Sequence, residues 1–304
     1  MKNNFLKKKV FIATSSFLIN KADLNKIPNN KNFEFIKNPL KKKLTSDQII
    51  KFAKNCDYII AGTEVYDKYT INKLEKLKYL FRLGSGTDNV NIDYLEKKKI
   101  KFFKSKVTPE IAVAELIVGY IFSIYRDIHE HDRNLKNKIW KKKMGSTLNG
   151  KTLGIIGYGK VGKYLHKILK NFGIDILIND KKKIKLKNTN LNTLIKKSDI
   201  ISINTNLLSK QKLLDKQKLN LCKKNCLIIN TSRPEVLDHK YLYWLLKNKK
   251  ILGAALDVFD KEPYFGDLTK LDNVLLTPHI GSYSKEIRSN MEVEAVTSII
   301  NSKI

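Results

Sequence analysis

The stretch "TLGIIGYGKVGKYLHKIL", residues 152–169, decides the fold of this chain. It carries the pattern G-x-G-x-x-G at Gly157, Gly159 and Gly162, directly after a short apolar run and directly before a helical one. The first glycine permits a tight turn, the second lets backbone approach a pyrophosphate, and the third lets helix and strand pack closely. The N-terminus of the helix presents unpaired N–H groups to an anion. The stretch therefore predicts a strand–turn–helix that binds a dinucleotide.

The next apolar run, "IDILIND" at residues 174–180, ends in the acid Asp180. A carboxylate at this strand end accepts hydrogen bonds from the ribose hydroxyls of NAD and repels the additional phosphate of NADP. Lysines at 181–183 would tolerate NADP, but the acid lies at the strand end itself, so we expect NAD as the cofactor. Besides Asp180, the turn residues are expected to line it: Gly157, Tyr158, Gly159, Lys160, Val161 and Gly162.

Apolar runs of this kind alternate with lysine-rich helical stretches along the whole chain. Runs without strict polar alternation, separated by helices, are typical of parallel strands covered on both faces. The pattern predicts an α/β protein with two doubly wound parallel-sheet domains. The predicted strands are "VFIAT", "YIIAG", "YLFRLG", "IKFFK", "TLGIIG", "IDILIND", "DIISINT", "CLIINTS", "ILGAALDVF" and "VLLTPH".

A seam between the two domains is expected near "KVTPEIAVAELIVGYIFSIYRDI", residues 106–128. Thr108 is a suitable N-cap, Pro109 suits the first helical position, and Glu110 complements the helix dipole. The helix that follows is apolar nearly all round. We expect it to be buried between domains or between subunits.

Composition narrows the range of partners. The 304 residues include 59 Lys and Arg against 29 Asp and Glu, for a formal charge of +30. The lysines are scattered evenly and only five arginines occur, whereas sequence-specific nucleic-acid binding favours clustered charge and arginine contacts to bases. We expect no specific nucleic-acid partner, only weak salt-sensitive attraction to polyanions.

The cysteines and apolar segments bear on compartment. Cys56, Cys222 and Cys226 match no zinc spacing, so no metal site and a reduced, cytoplasmic compartment are expected. The basic N-terminus superficially resembles a secretion signal, but "VFIAT" is interpreted as a first strand. The most apolar segment, Ile111 to Tyr125, contains Glu115 and is too short to cross a bilayer, so no membrane partner is expected.

Three charged residues follow later predicted strands. Arg233 follows "IINTS", Glu262 follows "GAALDVFDK", and His279 follows "LLTP". The carboxyl ends of strands in a doubly wound sheet converge on the ligand crevice. An arginine binds a carboxylate and polarises the adjacent carbonyl, an imidazolium protonates a developing alkoxide, and a carboxylate orients the imidazole. These residue types suit the reduction of a 2-oxo acid.

Six ordered blocks resemble the signatures of the D-isomer-specific 2-hydroxyacid dehydrogenases, with the D-3-phosphoglycerate dehydrogenases as the closest branch. The resemblance runs over nearly the whole chain. The blocks are "RLGSGTDNVN", "VTPEIAVAEL", "GKTLGIIGYGKVGK", "IINTSR", "GAALDVFDKEP" and "TPHIGSYSKE".

The resemblance implies a discontinuous architecture. A flavodoxin-like substrate domain would comprise residues 1–104 and 285–304, and an inserted Rossmann NAD-binding domain would comprise residues 105–284. It also implies a homodimer with the helix from Ile111 at the interface. The chain stops after the last substrate-domain helix, so feedback control through a regulatory extension is not expected.

The resemblance further implies residue roles. Arg233, Glu262 and His279 would be the catalytic set, and Asp257 would meet the nicotinamide amide. A small anionic 2-hydroxy or 2-oxo acid would be bound by Arg82, Ser85, Gly86 and Arg233, with Arg82 available for a phosphate or second anion. Other residues lining the cofactor would be Thr205, Thr231, Ser232 and Gly281.

The sequence departs from the family pattern at a few positions. Pro234 stands where glycine is usual after the arginine, which restricts Arg233 to extended backbone and removes one donor. Asn204 and Asn206 replace the common His and Pro, and Asn91 replaces an aspartate. None of these changes removes a catalytic group.

Three functions therefore stay open on the sequence alone. The leading one is an NAD-dependent dehydrogenase of a small D-2-hydroxy acid, with 3-phosphoglycerate as the expected substrate. A glyoxylate or hydroxypyruvate reductase is the alternative within the same chemistry. A non-catalytic, dinucleotide-sensing binding protein built on the same fold is the alternative from a different class.

Overall fold

The computed structural model describes residues 7–20, 23–24, 27–84, 86–205 and 212–302. Within them the strands β1 to β11 are Lys8–Ile12, Phe33–Lys37, Tyr58–Ala61, Tyr79–Arg82, Lys101–Lys104, Thr152–Ile156, Asp175–Asn179, Ile200–Ile203, Leu227–Asn230, Gly253–Leu256 and Val274–Leu276. The helices α1 to α10 are Ser46–Ala53, Lys68–Lys73, Ile92–Lys97, Glu110–Tyr125, Ile128–Lys136, Lys160–Leu169, Leu191–Lys197, Lys216–Leu219, His239–Lys247 and Lys285–Ile300.

All ten predicted strands are present, and one further strand was not predicted. That strand is β2, which lies at the edge of its sheet and pairs only with β1 in the described residues. Its side chains are only partly buried and include Glu34 and Lys37. Charged residues are common on edge strands, where they prevent pairing with another chain. Here they interrupt the apolar run from which a strand is predicted.

The chain divides into two compact units, residues 1–108 with 283–304 and residues 109–282. These boundaries differ from the expected ones by a few residues, and the contacts of unit 1 give the reason. Ser105 N donates to the Arg82 carbonyl (3.0 Å), and Lys106 N donates to Glu294 on α10 (3.0 Å). Tyr283 forms hydroxyl contacts with Ser15 and Ser16 after β1.

Unit 1 contains a five-stranded parallel sheet in the order β2-β1-β3-β4-β5. This is the flavodoxin-like strand order. Phe11, Ile59 and Leu80 face a core covered by α1, α2 and α3. Their neighbours Val10 and Ile60 face the other side, where α10 covers the sheet. Burial on both faces explains why the strands lack polar alternation.

Unit 2 contains a six-stranded parallel sheet in the order β11-β10-β9-β8-β6-β7. The chain moves from β6 outward to β7 and then returns to β8 on the other side of β6, which creates the topological switch point of a Rossmann-type fold. Ile155 and Ile229 face α4 and α6, while Ile156 and Ile228 face the opposite core. Both sheets therefore have the doubly wound architecture that the sequence predicts.

Helix α4 begins one residue later than expected. Pro109 rather than Thr108 takes the N-cap position, and no side chain caps the helix there. The reason is that the Pro109 carbonyl already accepts the first helical bond, from Val113 N at 2.9 Å.

Among the residues with described coordinates, every helix is too short or too polar to cross a membrane.

Candidate functional site

The glycine turn between β6 and α6 has the backbone that the motif predicts. Gly157 has a φ of +93°, and a Cβ there would lie 2.7 Å from the Asn204 carbonyl oxygen. A Cβ on Gly162 would lie 2.2 Å from the Gly157 carbonyl oxygen. A Cβ on Gly159, by contrast, would meet no atom within 4 Å. The turn therefore packs tightly on its inner side and leaves open space at the N-terminus of α6, which fits a pyrophosphate.

Asp180 lies against this turn. One of its carboxylate oxygens accepts from Tyr158 N at 2.6 Å, and the other accepts from Lys182 N at 2.7 Å. The side chain of Asn188 pairs with the backbone of Asp180 in both directions, at 3.0 and 2.8 Å. These contacts hold the carboxylate beside the phosphate-binding turn, where the ribose of a dinucleotide would lie.

The other expected cofactor residues differ in how they contribute. The Tyr158 hydroxyl pairs with Nδ1 of His166 at 2.8 Å, so its side chain lies along α6 and its backbone forms the turn. Lys160 and Val161 form the first turn of α6. Asn204 N donates to the Ile156 carbonyl at 2.7 Å, which brings the segment leading to Thr205 next to the turn. Asn206 lies outside the described residues.

Arg233 follows β9 in extended backbone, with φ −139° and ψ 143°, as the following Pro234 requires. Its Nη1 donates to the Ser232 carbonyl at 2.8 Å. The preceding Asn230 is completely buried, and its side chain organises this segment. Asn230 Oδ1 accepts from the backbone and hydroxyl of Ser232 (3.0 and 2.9 Å), and Nδ2 donates to the Arg233 carbonyl at 2.9 Å.

Glu262 and His279 form a direct pair. Nδ1 of His279 lies 3.1 Å from each carboxylate oxygen of Glu262, and the two side chains are 40% and 26% exposed. Glu262 also accepts from Phe259 N at 3.3 Å. Because Nδ1 faces the carboxylate, Nε2 is on the opposite edge of the ring. A partly exposed imidazole oriented by a carboxylate has the geometry of a general acid/base.

His279 occupies an uncommon backbone conformation. Its φ is +56°, a left-handed value that costs a residue with a Cβ about 1–2 kcal/mol. His279 N donates to the Thr277 carbonyl at 3.0 Å. The turn at 277–281 is therefore held by contacts that outweigh this cost.

Asp257, at the end of β10, is buried beneath that turn. Its carboxylate accepts from Ile280 N (2.7 Å), from Gly281 N (2.8 Å) and from the Thr277 hydroxyl (2.5 Å). Burial raises the pKa of Asp257, and these donors act in the opposite direction. The expected contact of Asp257 with a nicotinamide amide stays a prediction, whereas its contacts with the His279 turn were not foreseen from the sequence.

Unit 1 carries the remaining expected substrate residues. Arg82 is only 9% exposed, and its guanidinium donates to the Leu83 carbonyl and to Asn89 Oδ1 (3.2 Å for the latter). Gly86 lies in the loop that follows, and Ser85 falls outside the described residues. Arg82 is therefore engaged with its own loop.

Glu64 is an acid beside this loop that the sequence reasoning missed. It is 2% exposed, and its carboxylate accepts from Gly62 N at 2.7 Å. Burial raises the pKa of Glu64, and the charge of Arg82 is among the influences that lower it. The signal was available, because "TE" directly follows the predicted strand "YIIAG", where a charged residue lies at the carboxyl edge of the sheet.

Comparison with known proteins gives a consistent family. Residues 118–281 match the family model described as "D-isomer specific 2-hydroxyacid dehydrogenase, NAD binding domain". The chain is 34% identical over 258 residues to the D-3-phosphoglycerate dehydrogenase of Methanocaldococcus jannaschii, covering 80% of this chain and 49% of that protein. It therefore spans about half the length of that relative.

Two further similarities cover most of both chains. The glyoxylate reductase of Thermococcus litoralis is 35% identical over 247 residues, which is 75% of this chain and 75% of that protein. The apo-structure of D-lactate dehydrogenase from Escherichia coli superposes with a TM-score of 0.84 at 26% identity, covering 96% of each chain.

The position of Asp180 generates a prediction about cofactor choice. Asp180→Ala should weaken NADH binding and strengthen NADPH binding, because it removes both the ribose acceptor and the charge that repels a 2′-phosphate. Titration of protein fluorescence with each cofactor measures both dissociation constants. We expect the ratio of the two constants to change by about tenfold or more, corresponding to at least ~1.4 kcal/mol. An unchanged ratio would show that Asp180 has no part in this choice.

Proposed function

Because the chain belongs to the D-isomer-specific 2-hydroxyacid dehydrogenase family, we propose that it interconverts a small D-2-hydroxy acid and its 2-oxo acid with NAD. The observation that carries this proposal is the pair of His279 and Glu262, with Nδ1 3.1 Å from the carboxylate. This pair follows two neighbouring strands of the sheet whose glycine turn fits a dinucleotide. A dinucleotide-sensing binding protein can keep the same side chains, so turnover is the measurement that separates the two functions.

In the reductive direction, bound NADH would supply the hydride for C2 of the oxo acid. Arg233 binds the substrate carboxylate and polarises the neighbouring carbonyl through charge-assisted hydrogen bonds. His279 donates the proton from Nε2 to the developing alkoxide, while Glu262 holds the ring at Nδ1. In the oxidative direction His279 accepts the hydroxyl proton instead. Cofactor contacts are assigned to the glycine turn, Asp180, Thr205, Thr231, Ser232, Asp257 and Gly281.

This assignment is tested by NADH oxidation with glyoxylate, hydroxypyruvate, 3-phosphohydroxypyruvate and pyruvate. We expect turnover with at least one of them, and His279→Ala should lower kcat by about a hundredfold or more, the usual range for a general acid being ~10² to 10⁴. Glu262→Gln is the matched variant, since it keeps the size of the side chain and removes its charge. NADH affinity should stay within about threefold in both variants.

Near-normal turnover in His279→Ala would exclude the proposed acid/base. Tight NADH binding without turnover of any oxo acid would favour the dinucleotide-sensing alternative.

The two candidate substrate classes differ by a phosphate group. The similarity to a D-3-phosphoglycerate dehydrogenase supports 3-phosphoglycerate, and the similarity to a glyoxylate reductase supports an unphosphorylated acid. Arg82 is the residue that was predicted to bind a phosphate or second anion of the substrate. In the structure it donates to its own loop, and it lies close enough to Glu64 that its charge opposes the rise in the pKa of that acid caused by burial. This arrangement favours the unphosphorylated acids, glyoxylate or hydroxypyruvate.

Arg82→Ala separates the two classes. If Arg82 mainly organises its own loop, kcat/KM should fall by a similar factor for hydroxypyruvate and for 3-phosphohydroxypyruvate. If it binds a phosphate, the loss should be at least tenfold larger for the phosphorylated substrate, since a hydrogen bond to a charged group contributes ~1.5–3 kcal/mol. A selective loss of that size would return 3-phosphoglycerate to the leading position.

We also propose a homodimer formed through unit 2. The segment from Ile111 to Met144 exposes large apolar side chains, among them Trp140 (81%) and Met144 (96%). Clustered apolar exposure of this kind marks an interaction surface, and a second copy of the chain is the partner that the family implies.

The free cysteines of the structure support a reducing, cytoplasmic compartment.

Sedimentation velocity tests the dimer. The wild-type protein should sediment as a dimer, and a double variant Trp140→Lys with Met144→Lys should shift toward the monomer, because two charges would be buried in an apolar interface. Phe265→Lys is the control, since Phe265 is 88% exposed but lies outside the segment. A monomeric wild-type protein would contradict the proposal.

A further inference from the structure

Three side chains linked by hydrogen bonds support the turn that carries His279. Tyr120 on α4 contacts the Thr277 hydroxyl, and the Thr277 hydroxyl contacts Asp257. Asp257 in turn accepts from the backbone N–H groups of Ile280 and Gly281, the two residues after His279. None of these contacts involves His279 itself. They fall on the residue two positions before it and on the two residues after it.

The direction of each hydrogen bond follows from the donors available. A carboxylate only accepts, so the single hydrogen of the Thr277 hydroxyl points to Asp257. The Thr277 oxygen is then an acceptor toward Tyr120, and the Tyr120 hydroxyl donates to it. Burial raises the pKa of Tyr120, which keeps this hydroxyl protonated and able to donate. The chain therefore has one consistent polarity, from Tyr120 to Thr277 to Asp257.

The turn also packs closely on the same helix. A Cβ on Gly281 would lie 3.1 Å from a carboxylate oxygen of Asp257 and 3.3 Å from a methyl group of Val113. Val113 and Tyr120 are seven residues apart on α4 and so lie on one face of the helix. That face contacts the turn by packing at Val113 and by a hydrogen bond at Tyr120.

We propose that Asp257, Thr277 and Tyr120 are positioning residues that keep His279 in its left-handed conformation and so aim its imidazole. The proposal rests on the role of His279 given above. A φ of +56° is not a conformation that a histidine adopts by preference, and the N–H bonds of Ile280 and Gly281 to Asp257 fix the backbone immediately after it. Thr277, two residues before His279, is tied to the same Asp257 carboxylate by its hydroxyl and accepts from His279 N through its carbonyl.

Thr277→Val is the decisive variant, because it keeps the shape of the side chain and removes the hydroxyl that links Tyr120 to Asp257. We expect kcat to fall about tenfold to a hundredfold, since a small misplacement of a catalytic group can cost ~10²-fold. KM for the oxo acid and the dissociation constant of NADH should stay within about threefold. Thr277→Ser retains the hydroxyl and should restore most of the activity.

Tyr120→Phe is the second variant and removes only the outer donor. It should lower kcat less than Thr277→Val does. The double variant should be no slower than Thr277→Val alone, because both changes interrupt the same chain. Simple multiplication of the two losses would mean that the residues act independently, which contradicts the proposal.

Amide hydrogen exchange supplies a measurement that needs no turnover. Exchange at Ile280 and Gly281 should be faster in Thr277→Val than in the wild type and should recover in Thr277→Ser. Unchanged exchange, or equal losses in the Ser and Val variants, would overturn the proposal. If the wild-type protein reduces no oxo acid, the proposed function fails, while the exchange rates still decide whether these residues hold the turn.

Discussion

The in-register pairing of β9, β10 and β11 is the constraint on which the candidate site depends. Asn230, Leu256 and Leu276 are aligned across the three strands, so the chain leaves all three strands at the same level of the sheet. Asp257 N donates to the Asn230 carbonyl and Thr277 N donates to the Leu256 carbonyl, which extends the alignment by one residue. Glu262 and His279 can meet only because the segments that carry them start from neighbouring strand ends.

Buried polar side chains at those strand ends convert the alignment into a shaped site. Asn230 shapes the segment that carries Arg233, and Asp257 shapes the turn that carries His279. Glu64 does the same for the loop after β3 in unit 1 through Gly62 N. A buried polar group is costly unless it is hydrogen-bonded, and each of these groups finds partners in the backbone of the loop that it shapes. The same contacts that satisfy the buried group therefore limit the conformations of the loop.

The arginines of the two units illustrate how context alters the meaning of a residue type. Arg233 follows the end of β9, in the same sheet as the strand before the glycine turn, and its backbone is extended. Each guanidinium donates to a backbone carbonyl of its own segment, but Arg82 is only 9% exposed and also donates to the Asn89 side chain. From the sequence both were candidate anion-binding residues. Burial, the bond to Asn89 and the nearby buried Glu64 distinguish the surroundings of Arg82 from those of Arg233.

The sequence by itself determined the fold class and the cofactor, and it singled out Glu262 and His279, whose side chains form a pair in the structure. The glycine turn, the acid at the end of the next strand and the apolar runs are local signals, and local backbone chemistry gives each of them one favoured structure. The edge strand β2 escaped because its partly exposed, charged residues lack that signal. Tertiary structure alone decided that Asp257, Thr277 and Tyr120 meet beneath His279 and that Glu64 lies beside Arg82. Those contacts depend on strand register and burial, which join residues far apart in the chain and leave no mark on the spacing of the sequence.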